Sequence, residues 1–314
     1  MPGVGVIFNP NAKRYKKNPD KLKRMAFIIG EKASGKPTQN IADLHVVADE
    51  FKSKDIDILA ISGGDGTIHC TLTAFIKVYG EKPLPKIALL RGGTQNNIAN
   101  VYGIKGDTEH LLSRLLLHYH ENPDGLVEKS LRLMHFTDNL GGSVYGAVFG
   151  ALAAYNYMEH YYTKPNLNKW AAIQAAIELG LSGLFNGKLI RKVFERIDAE
   201  LVVDGQAFGF ANFNGMAAGT VPMPGIGLKI FRHMLTQDER FHFLATSVYP
   251  RNFLGILPPL SLGRPPKSDN VIEALPLDLQ IKFSKPIGYC VDGDMIGPAT
   301  ELRIQQGPKV TLLI

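Results

Sequence analysis

Three glycines within four positions follow a buried apolar run in this sequence, and they constrain the fold more than any other feature. The run Asp55–Ser62 (DIDILAIS) passes directly into Gly63-Gly64-Asp65-Gly66-Thr67, after which a helical pattern begins. Glycine lets a backbone approach a ligand closely and adopt positive φ angles. The N–H groups and the positive dipole end of the following helix favour phosphate. The alternative, a tight turn without a ligand, rarely needs so many glycines beside an acid.

The loop also carries groups suited to a metal-bound phosphate. It matches neither GxGxxG nor GxxxxGK[ST], so the dinucleotide-binding and P-loop interpretations fail. Asp65 supplies a carboxylate that a bridging Mg²⁺ could use, and Thr67 supplies a hydroxyl.

The first 130 residues alternate apolar runs with helical periodicity, which predicts an α/β domain with a parallel sheet. Strands are predicted at Val4–Phe8, Asp55–Ser62 and Lys86–Leu90, and helices follow Pro19 and Thr38. Because ligands bind outside the carboxyl ends of such strands, the loops after them should meet at one edge of the sheet. These loops include Asn9-Pro10-Asn11-Ala12-Lys13 and Arg91-Gly92-Gly93-Thr94-Gln95-Asn96-Asn97.

The pattern changes after about residue 130. Helices are predicted at Gly146–Tyr161 and Asn168–Phe194, and the remaining runs predict a mainly antiparallel β-sandwich. The predicted strands are Leu201–Asp204, Gly209–Asn214, Phe241–Val248, Leu279–Phe283, Ile287–Val291, Glu301–Ile304 and Val310–Ile314. We therefore expect domains at 1–130 and 131–300, with the terminal strand, 301–314, returning to the first.

Composition narrows the class of protein. Of the 314 residues, 45% are hydrophobic, as in globular chains, and only two are cysteines, which argues against a disulfide framework or a zinc site. The N-terminal apolar run is too short for a signal peptide, so a cytoplasmic location is expected. The formal charge of +6 suits nucleotide phosphates or an anionic membrane. Nucleic-acid binding has only this charge in its favour and is not predicted.

The two glycine loops, the early Asn-Pro and the isolated Thr38 resemble the diacylglycerol kinase catalytic family. That family includes bacterial soluble lipid kinases, sphingosine kinases and ceramide kinases, and is related to the NAD kinases. Asn214-Gly215 is similar to a family Asn-Gly, and Asp292-Gly293-Asp294 occupies the place of a late Asp-Gly-Glu. The resemblance implies an ATP- and Mg²⁺-dependent lipid kinase, with ATP in the first domain and the lipid in the second.

The resemblance also implies roles for individual residues. The implied catalytic residues are Asp294, Asp292 and Asp65. Asp294 falls at the position of the general base, and Asp292 precedes it by two residues. By itself, Asp292-Gly293 is also a common hairpin turn. The implied ATP-binding residues are Asn9, Pro10, Asn11, Ala12, Lys13, Thr38, Gly63, Gly64, Asp65, Gly66, Thr67, Ile68, His69, Cys70, Gly93, Thr94 and Asn96.

The sequence departs from the family pattern at several positions. Cys70 replaces a glutamate, Arg91 a proline, Asn97 an aspartate and Asp294 a glutamate. The segment after Pro222-Met223-Pro224 lacks the acidic stretch that helps to hold a structural Mg²⁺ in the family, so the metal ligands remain unknown.

Two rival functions follow from these departures and from the kinship with NAD kinases. One is a nucleotide- or lipid-binding protein that has lost catalysis, and the other is a kinase with a soluble acceptor. The apolar character of residues 140–190 favours a lipid, without choosing among diacylglycerol, sphingoid base or ceramide. Arg191, Lys192 and Arg196 beside the apolar helix around Trp170 suit peripheral contact with an anionic membrane, or a solvated surface. A homodimer is left open.

Overall fold

The computed structural model describes residues 3–10, 12–93, 96–122, 125–165, 167, 169–185, 187–208, 212–223, 228–249, 252, 255, 258, 259, 261–265, 268 and 270–314. The chain divides into two compact units. One comprises Met1–Leu131 and Lys309–Ile314, and the other comprises Arg132–Pro308.

A parallel sheet organises the first unit. Its strands are β1 (Val4–Phe8), β2 (Ser34–Pro37), β3 (Ile58–Ser62) and β4 (Lys86–Leu89). They lie in the order β4-β3-β1-β2, and each neighbouring pair is parallel. Leu312 and Leu313, at the chain terminus, pair in parallel with β4 on its other side. Every residue of β3 is buried, as expected for a strand covered on both faces.

The helices of the first unit begin at recognisable signals. Asn40 Oδ1 accepts from the N–H of Asp43, and Asp107 Oδ1 accepts from that of His110, both at 2.9 Å. These are N-caps, which satisfy donors that a helix leaves unpaired. The helices are α1 (Lys13–Lys17), α2 (Asp20–Ile29), α3 (Ile41–Ser53), α4 (Asp65–Tyr79), α5 (Asn97–Val101) and α6 (Thr108–Glu121). Helix α3 packs against α4, and α2 packs against α6.

The second unit is rich in antiparallel strands. These strands are β5 (Glu128–Asp138), β6 (Ser143–Gly146), β7 (Val148–Leu152), β8 (Ile197–Val203), β9 (Gln206–Phe208), β10 (Asn212–Phe213), β11 (Gly215–Gly219), β12 (His242–Thr246), β13 (Val271–Ala274), β14 (Asp278–Val291) and β15 (Asp294–Leu313). Residues 128–131 of β5 and 309–313 of β15 belong to the first unit. Strands β13, β12, β11, β7 and β14 form a continuous antiparallel series, and β14 also pairs with β8 and β15.

The second unit also contains the helices α7 (Ala153–Tyr162), α8 (Lys169–Leu184) and α9 (Lys188–Val193) and the 3-10 helix Arg232–Leu235. The core between the strands combines aliphatic and aromatic side chains, with Phe136, Phe149, Phe213, Phe241 and Phe243 among its buried members. The predicted fold class, a parallel α/β region followed by an antiparallel strand-rich region, is confirmed.

The predicted helix over Gly146–Tyr161 is wrong in its first half. The chain forms strand β7 up to Leu152, which has a φ of 57°, and the helix begins only at Ala153. Strand β7 hydrogen-bonds to β11 on one side and β14 on the other. A buried central strand reads as a continuous apolar run, which periodicity cannot separate from a buried helix.

The remaining strand predictions differ mainly in their limits. Leu279–Phe283 and Ile287–Val291 are parts of one strand, β14, and Glu301–Ile304 lies within β15. Of the predicted strand Gly209–Asn214, residues 209–211 lie outside the described residues, and 212–213 form β10.

Candidate functional site

The carboxyl ends of the parallel strands bring the first group of predicted residues to one edge of the sheet. Asn9 follows β1 and donates its N–H to Ser62 O (3.3 Å), at the end of β3. Thr38 follows β2, is only 4% exposed, and donates its N–H to Phe8 O (3.0 Å). Leu90, after β4, donates to Ile61 O (2.9 Å). The loops after these strands therefore start at the same level of the sheet.

The two glycine loops touch backbone to backbone. A Cβ placed on Gly93 would lie 2.2 Å from Gly64 Cα, and one on Gly92 would lie 2.7 Å from Gly63 N. A Cβ on Gly63 would lie 2.3 Å from the Cβ of Thr67. A side chain larger than hydrogen does not fit at these contacts. Gly92 and Gly93 are therefore required by the fit between the loops, and Gly63 by the fit of the first loop to the start of α4.

Two polar side chains hold the loops in place, one within the second loop and one between the first loop and the helix after the second. Asn96, in the left-handed region with φ 52°, accepts from Gly93 N at 3.0 Å and donates to Gly93 O at 2.9 Å. The carboxylate of Asp65 accepts from the N–H of Asn97 (3.0 Å) and of Ile98 (3.4 Å), at the start of α5. The acid of the first loop thus holds the helix that follows the second.

The N-terminus of α4 lies at the centre of this arrangement. Gly64 is its N-cap and offers no side-chain cap, and the first intrahelical bond runs from Ile68 N to Gly64 O (3.0 Å). An α-helix leaves its first N–H groups without intrahelical acceptors, and its dipole attracts negative charge there. The geometry suits a phosphate approaching Asp65, Gly66 and Thr67.

Other predicted residues are less accessible. Ile68 and His69 are each 3% exposed on the inner side of α4, whereas Cys70 is partly exposed. Pro10 and Ala12 lie in the turn after β1, and Lys13 opens α1. The predicted residues Asn11 and Thr94 lie outside the described residues.

Two contacts beside the glycine loops were missed from the sequence. The hydroxyl of Tyr15, in α1, hydrogen-bonds to that of Ser62, directly before the glycines. Arg91 has a φ of 52°, which proline cannot adopt, and its Nη1 donates to Asn100 Oδ1 (2.8 Å) and Ile104 O (2.5 Å). A proline could therefore not occupy position 91 with this backbone conformation. The Arg91 side chain in turn attaches the second loop to α5 and to the residues after it.

In the second unit, Asp292-Gly293-Asp294 forms the tip of a β-hairpin. Val291 pairs with Asp294, so Asp292 and Gly293 are the two loop residues, with φ values of 49° and 91°. Positive φ at both positions is the signature of the type I′ turn, for which Asp-Gly is a preferred pair. Asp294 is therefore the first residue of β15.

The two aspartates of this hairpin have different surroundings. The Asp292 carboxylate accepts from the N–H groups of Ala147 (3.0 Å) and Val148 (2.9 Å), which ties the tip to β7. The hydroxyl of Tyr162 donates to Gly293 O (2.8 Å) and holds the tip from the other side. Asp294, the next residue after this hairpin tip, is partly exposed to solvent.

The same arrangement recurs at a second Asp-Gly hairpin. Asp204 and Gly205 join β8 to β9 with φ values of 48° and 83°. The Asp204 carboxylate accepts from the N–H groups of Leu277 (2.8 Å) and Asp278 (2.9 Å) on the neighbouring chain segment. A carboxylate that attaches a hairpin tip to its neighbour is thus a structural device of this unit.

The segment where the family places a structural Mg²⁺ carries basic groups in this chain. Arg232 donates from Nε to Oε1 of Glu273 (2.8 Å) and from Nη2 to Oε2 (2.7 Å). Nε2 of His233 lies 3.6 Å, and that of His242 2.8 Å, from Oε1 of the same carboxylate. Mg²⁺ takes oxygen ligands in octahedral geometry. In the described part of this cluster, Glu273 is the one carboxylate, and because it is already paired with Arg232 it does not fit such an ion.

His242 is the buried member of this cluster. It is 0% exposed, and within the described residues neither ring nitrogen makes a hydrogen bond of good geometry. Burial lowers the pKa of His242 to about 4, and the charges of His233 and Arg232 act in the same direction, against the opposing effect of Glu273. The imidazole is therefore neutral at pH 7.

The chain is similar to known proteins in sequence over part of its length and in fold over nearly all of it. Residues 3–125 match the family model described as the diacylglycerol kinase catalytic domain. None of the curated proteins compared with the chain matches it. A diacylglycerol kinase from Bacillus anthracis strain Sterne superposes with a TM-score of 0.66 at 14% identity, over 99% of this chain and 96% of that one.

Two further structures from the same organism show the same fold. One superposes with a TM-score of 0.66 at 15% identity, and the other with 0.62 at 16% identity. Each covers 99% of this chain and 96% of its own. The predicted resemblance to the diacylglycerol kinase catalytic family is thereby confirmed, and the family match spans residues 3–125 of this chain.

Proposed function

We propose that this chain is an ATP-dependent lipid kinase, which transfers the γ-phosphate of ATP to a hydroxyl of a membrane lipid. The match to the diacylglycerol kinase catalytic domain supports a phosphotransferase of the kinase type. The observation that carries the nucleotide part of the proposal is the contact between the two glycine loops beside the N-terminus of α4.

The first loop is proposed to hold the phosphates. Phosphoryl transfer depends mainly on positioning and on neutralising charge, and little covalent chemistry falls to the protein. Backbone N–H groups at the start of α4 would bind phosphate oxygens, and the contacts of Asp65 and Asn96 keep the loops in place beforehand. Preorganised donors cost no reorganisation during the reaction.

Mg²⁺ is expected to accompany ATP. When bound, it would neutralise the negative charge on the phosphate oxygens. Carboxylate oxygens are the ligands that Mg²⁺ prefers, so Asp65 is the side chain of this loop that fits it.

Asp294 is proposed as the general base. A lipid hydroxyl is a poor nucleophile, and a carboxylate within hydrogen-bond reach can accept its proton as the phosphoryl group arrives. Asp292 is assigned a positioning role, because its carboxylate accepts from Ala147 and Val148 and holds the hairpin that presents Asp294. Asp294 carries one methylene fewer than the family glutamate, so the backbone of the hairpin sets its reach.

An acceptor panel tests the function. Wild-type protein is incubated with ATP, Mg²⁺ and vesicles that contain diacylglycerol, a sphingoid base or ceramide, and separately with NAD. Phosphorylation of one lipid is the expected result. Phosphorylation of NAD alone would support the soluble-acceptor kinase, and binding of ATP and lipid without transfer would support the non-catalytic rival.

Calorimetry tests the nucleotide site separately. Gly66→Val places a branched side chain in the first turn of α4, where we expect phosphate, and should abolish ATP binding. Gly180→Val is the matched control, because Gly180 is also helical and a Cβ there meets nothing within 4 Å. Equal ATP affinity in the two folded variants would mean that the N-terminus of α4 does not bind the phosphates of ATP.

A further inference from the structure

Helix α8 presents its largest apolar side chains to solvent. Trp170 is 78% exposed and Phe185, directly beyond the helix end, is 83% exposed. Between them, exposed residues recur at helical intervals, and all lie within an arc of about 120° at 3.6 residues per turn. We call this set the α8 stripe: Trp170, Ile173, Ile177, Leu181 and Phe185.

The opposite face of α8 is buried and consists of small residues. Ala171, Ala172 and Ala175 pack in a cluster with Tyr161 of α7. Amphipathic helices of globular proteins usually turn their large apolar residues inward. Here the distribution is reversed, and an apolar patch of this kind on a protein surface commonly marks a contact with a protein or a membrane.

Side-chain contacts fix α8 in this orientation. The hydroxyl of Tyr157 donates to Ala172 O (2.8 Å). Glu178 accepts from His160 Nε2 (2.8 Å) and Lys164 Nζ (2.5 Å), both from α7 or the residues just after it. Because these contacts hold the small-residue face against α7, the stripe cannot rotate into the core.

Basic residues follow the stripe directly in the chain. Residues 188–196 contain four basic side chains (Lys188, Arg191, Lys192 and Arg196) and one acidic side chain (Glu195), which gives a formal charge of 4 − 1 = +3. Lys188, Arg191 and Lys192 are exposed. Two ion pairs involve this segment, Lys192 Nζ to Glu159 Oε2 at 3.0 Å and Lys285 Nζ to Glu195 Oε1 at 2.7 Å. Both are exposed to solvent, and exposed ion pairs contribute little free energy.

We propose that the α8 stripe docks on the surface of an anionic phospholipid bilayer, an inference that rests on the proposed lipid kinase function. Tryptophan and phenylalanine on an apolar face, with cations beside it, are the composition of helices that lie in the membrane interface. No helix in the described part of the chain has the length and apolar character to cross a bilayer. The stripe therefore fits lying on the membrane.

A second copy of the chain is the less suitable occupant. A two-fold contact through the stripe would place the same patch of each copy against the other. If the two helices ran parallel, the basic segments after α8 would face each other, and like charges repel. If they ran antiparallel, each basic segment would lie beside the uncharged stripe of the other copy, which offers no complementary charge. An anionic bilayer offers both an apolar layer and the complementary charge.

Trp170 makes this proposal directly measurable, because it is the single tryptophan of the chain. Its emission should shift to shorter wavelength when vesicles of phosphatidylcholine with phosphatidylglycerol are added. Brominated acyl chains should quench it. Vesicles of phosphatidylcholine alone should have a much weaker effect, and added salt should weaken binding to the anionic vesicles, because exposed charges are screened.

Variants identify the surface. Ile177→Glu with Leu181→Glu should lower vesicle partitioning at least tenfold, since each loses the burial of a large apolar side chain. Lys188→Gln should lower it about fivefold. Ala176→Glu is the matched control, because Ala176 is exposed on the same helix outside the stripe, and it should lower partitioning much less than the double variant.

The outcomes separate docking from catalysis. Gly66→Val should still dock, and Ile177→Glu with Leu181→Glu should still bind ATP. The proposal is overturned if vesicles sediment the protein without changing Trp170 emission, or if no vesicle binds it. A blue shift that depends on protein concentration without vesicles would overturn it in favour of a second copy.

Discussion

At the scale of single residues, the glycines serve the contact between two loops. Gly63 with Gly92, and Gly64 with Gly93, approach so closely that a Cβ on Gly92 or Gly93 would overlap the opposite backbone. The ligand-based explanation of glycine-rich loops therefore accounts for only part of the pattern. Correct placement of the first loop depends on the second.

Substitution of Gly93 by alanine tests this dependence. The added Cβ, 2.2 Å from Gly64 Cα, must force the loops apart. We expect a loss of about 1–3 kcal/mol in the free energy of unfolding, measured by urea denaturation, together with weaker ATP binding. Gly180→Ala, where a Cβ meets nothing within 4 Å, should keep or raise stability. Equal stability of Gly93→Ala and wild type would mean that the loops are not in contact.

The second residue-scale prediction concerns Asp292. Asparagine at this position tolerates the positive φ. It lacks the negative charge of the carboxylate that accepts hydrogen bonds from the N–H groups of Ala147 and Val148. The free energy of unfolding should fall by about 1.5–3 kcal/mol. Asp204→Asn, at the equivalent hairpin, should lose a similar amount. A stable Asp292→Asn protein with little activity would return Asp292 to a direct catalytic role.

The contacts that could be predicted are those set by residues adjacent in the sequence. The hairpin turn can be predicted from the Asp-Gly pair alone. The position of the loops at one edge of the sheet can be predicted from the parallel strands that precede them. The contact of Asp65 with Asn97 joins residues 32 positions apart and uses a backbone N–H. The residue type at position 97 therefore gives no sign of this hydrogen bond. For the same reason, the contact does not depend on whether position 97 carries the family aspartate or Asn97.

At the scale of elements, apolar runs without periodicity were the main source of error. Strand β7 is buried except at Val148, and Gly150 leaves room beside Cys290 Sγ, which a Cβ there would approach to 3.0 Å. The sequence could not distinguish this central strand from the start of helix α7. The exposed face of α8 was equally unreadable, because its alanines and its large residues are both apolar and only packing shows which is buried.

The elements β12 and β13 and the 3-10 helix give a pH prediction. His242 faces Glu273, His233 and Arg232, and its pKa is about 4 against an ordinary value of 6.5. The unfolded chain therefore takes up a proton first as pH falls below 6.5, and stability is lost progressively down to about pH 4. The low pKa of Glu273 acts in the same direction at lower pH.

Denaturation as a function of pH checks this assignment. Between pH 7 and pH 5 the free energy of unfolding should fall by about 2 kcal/mol through His242. In His242→Gln this part of the slope should disappear, whereas the half-buried His45→Gln on α3 should retain it. Identical slopes in His242→Gln and wild type would show that His242 does not titrate in this window.

At the scale of the whole molecule, each of the two units carries one part of the proposed reaction. The unit with the parallel sheet holds the glycine loops, and the antiparallel unit holds the hairpin of Asp294 and the α8 stripe. The first part could be predicted in detail because motif and sheet position coincide. The second could be predicted only in outline, since long-range antiparallel pairing leaves little local signal.

Transfer of labelled phosphate from ATP to a lipid hydroxyl in anionic vesicles tests the proposed lipid kinase activity most directly. We predict transfer by wild type and a rate lower by about 10²–10⁴-fold in Asp294→Asn, with ATP affinity unchanged. Asp204→Asn, the matched carboxylate substitution at the other Asp-Gly hairpin, should retain the rate. Absence of transfer to any lipid by wild type would contradict the proposed lipid kinase activity, and equal rates in wild type and Asp294→Asn would contradict the role of Asp294 as general base.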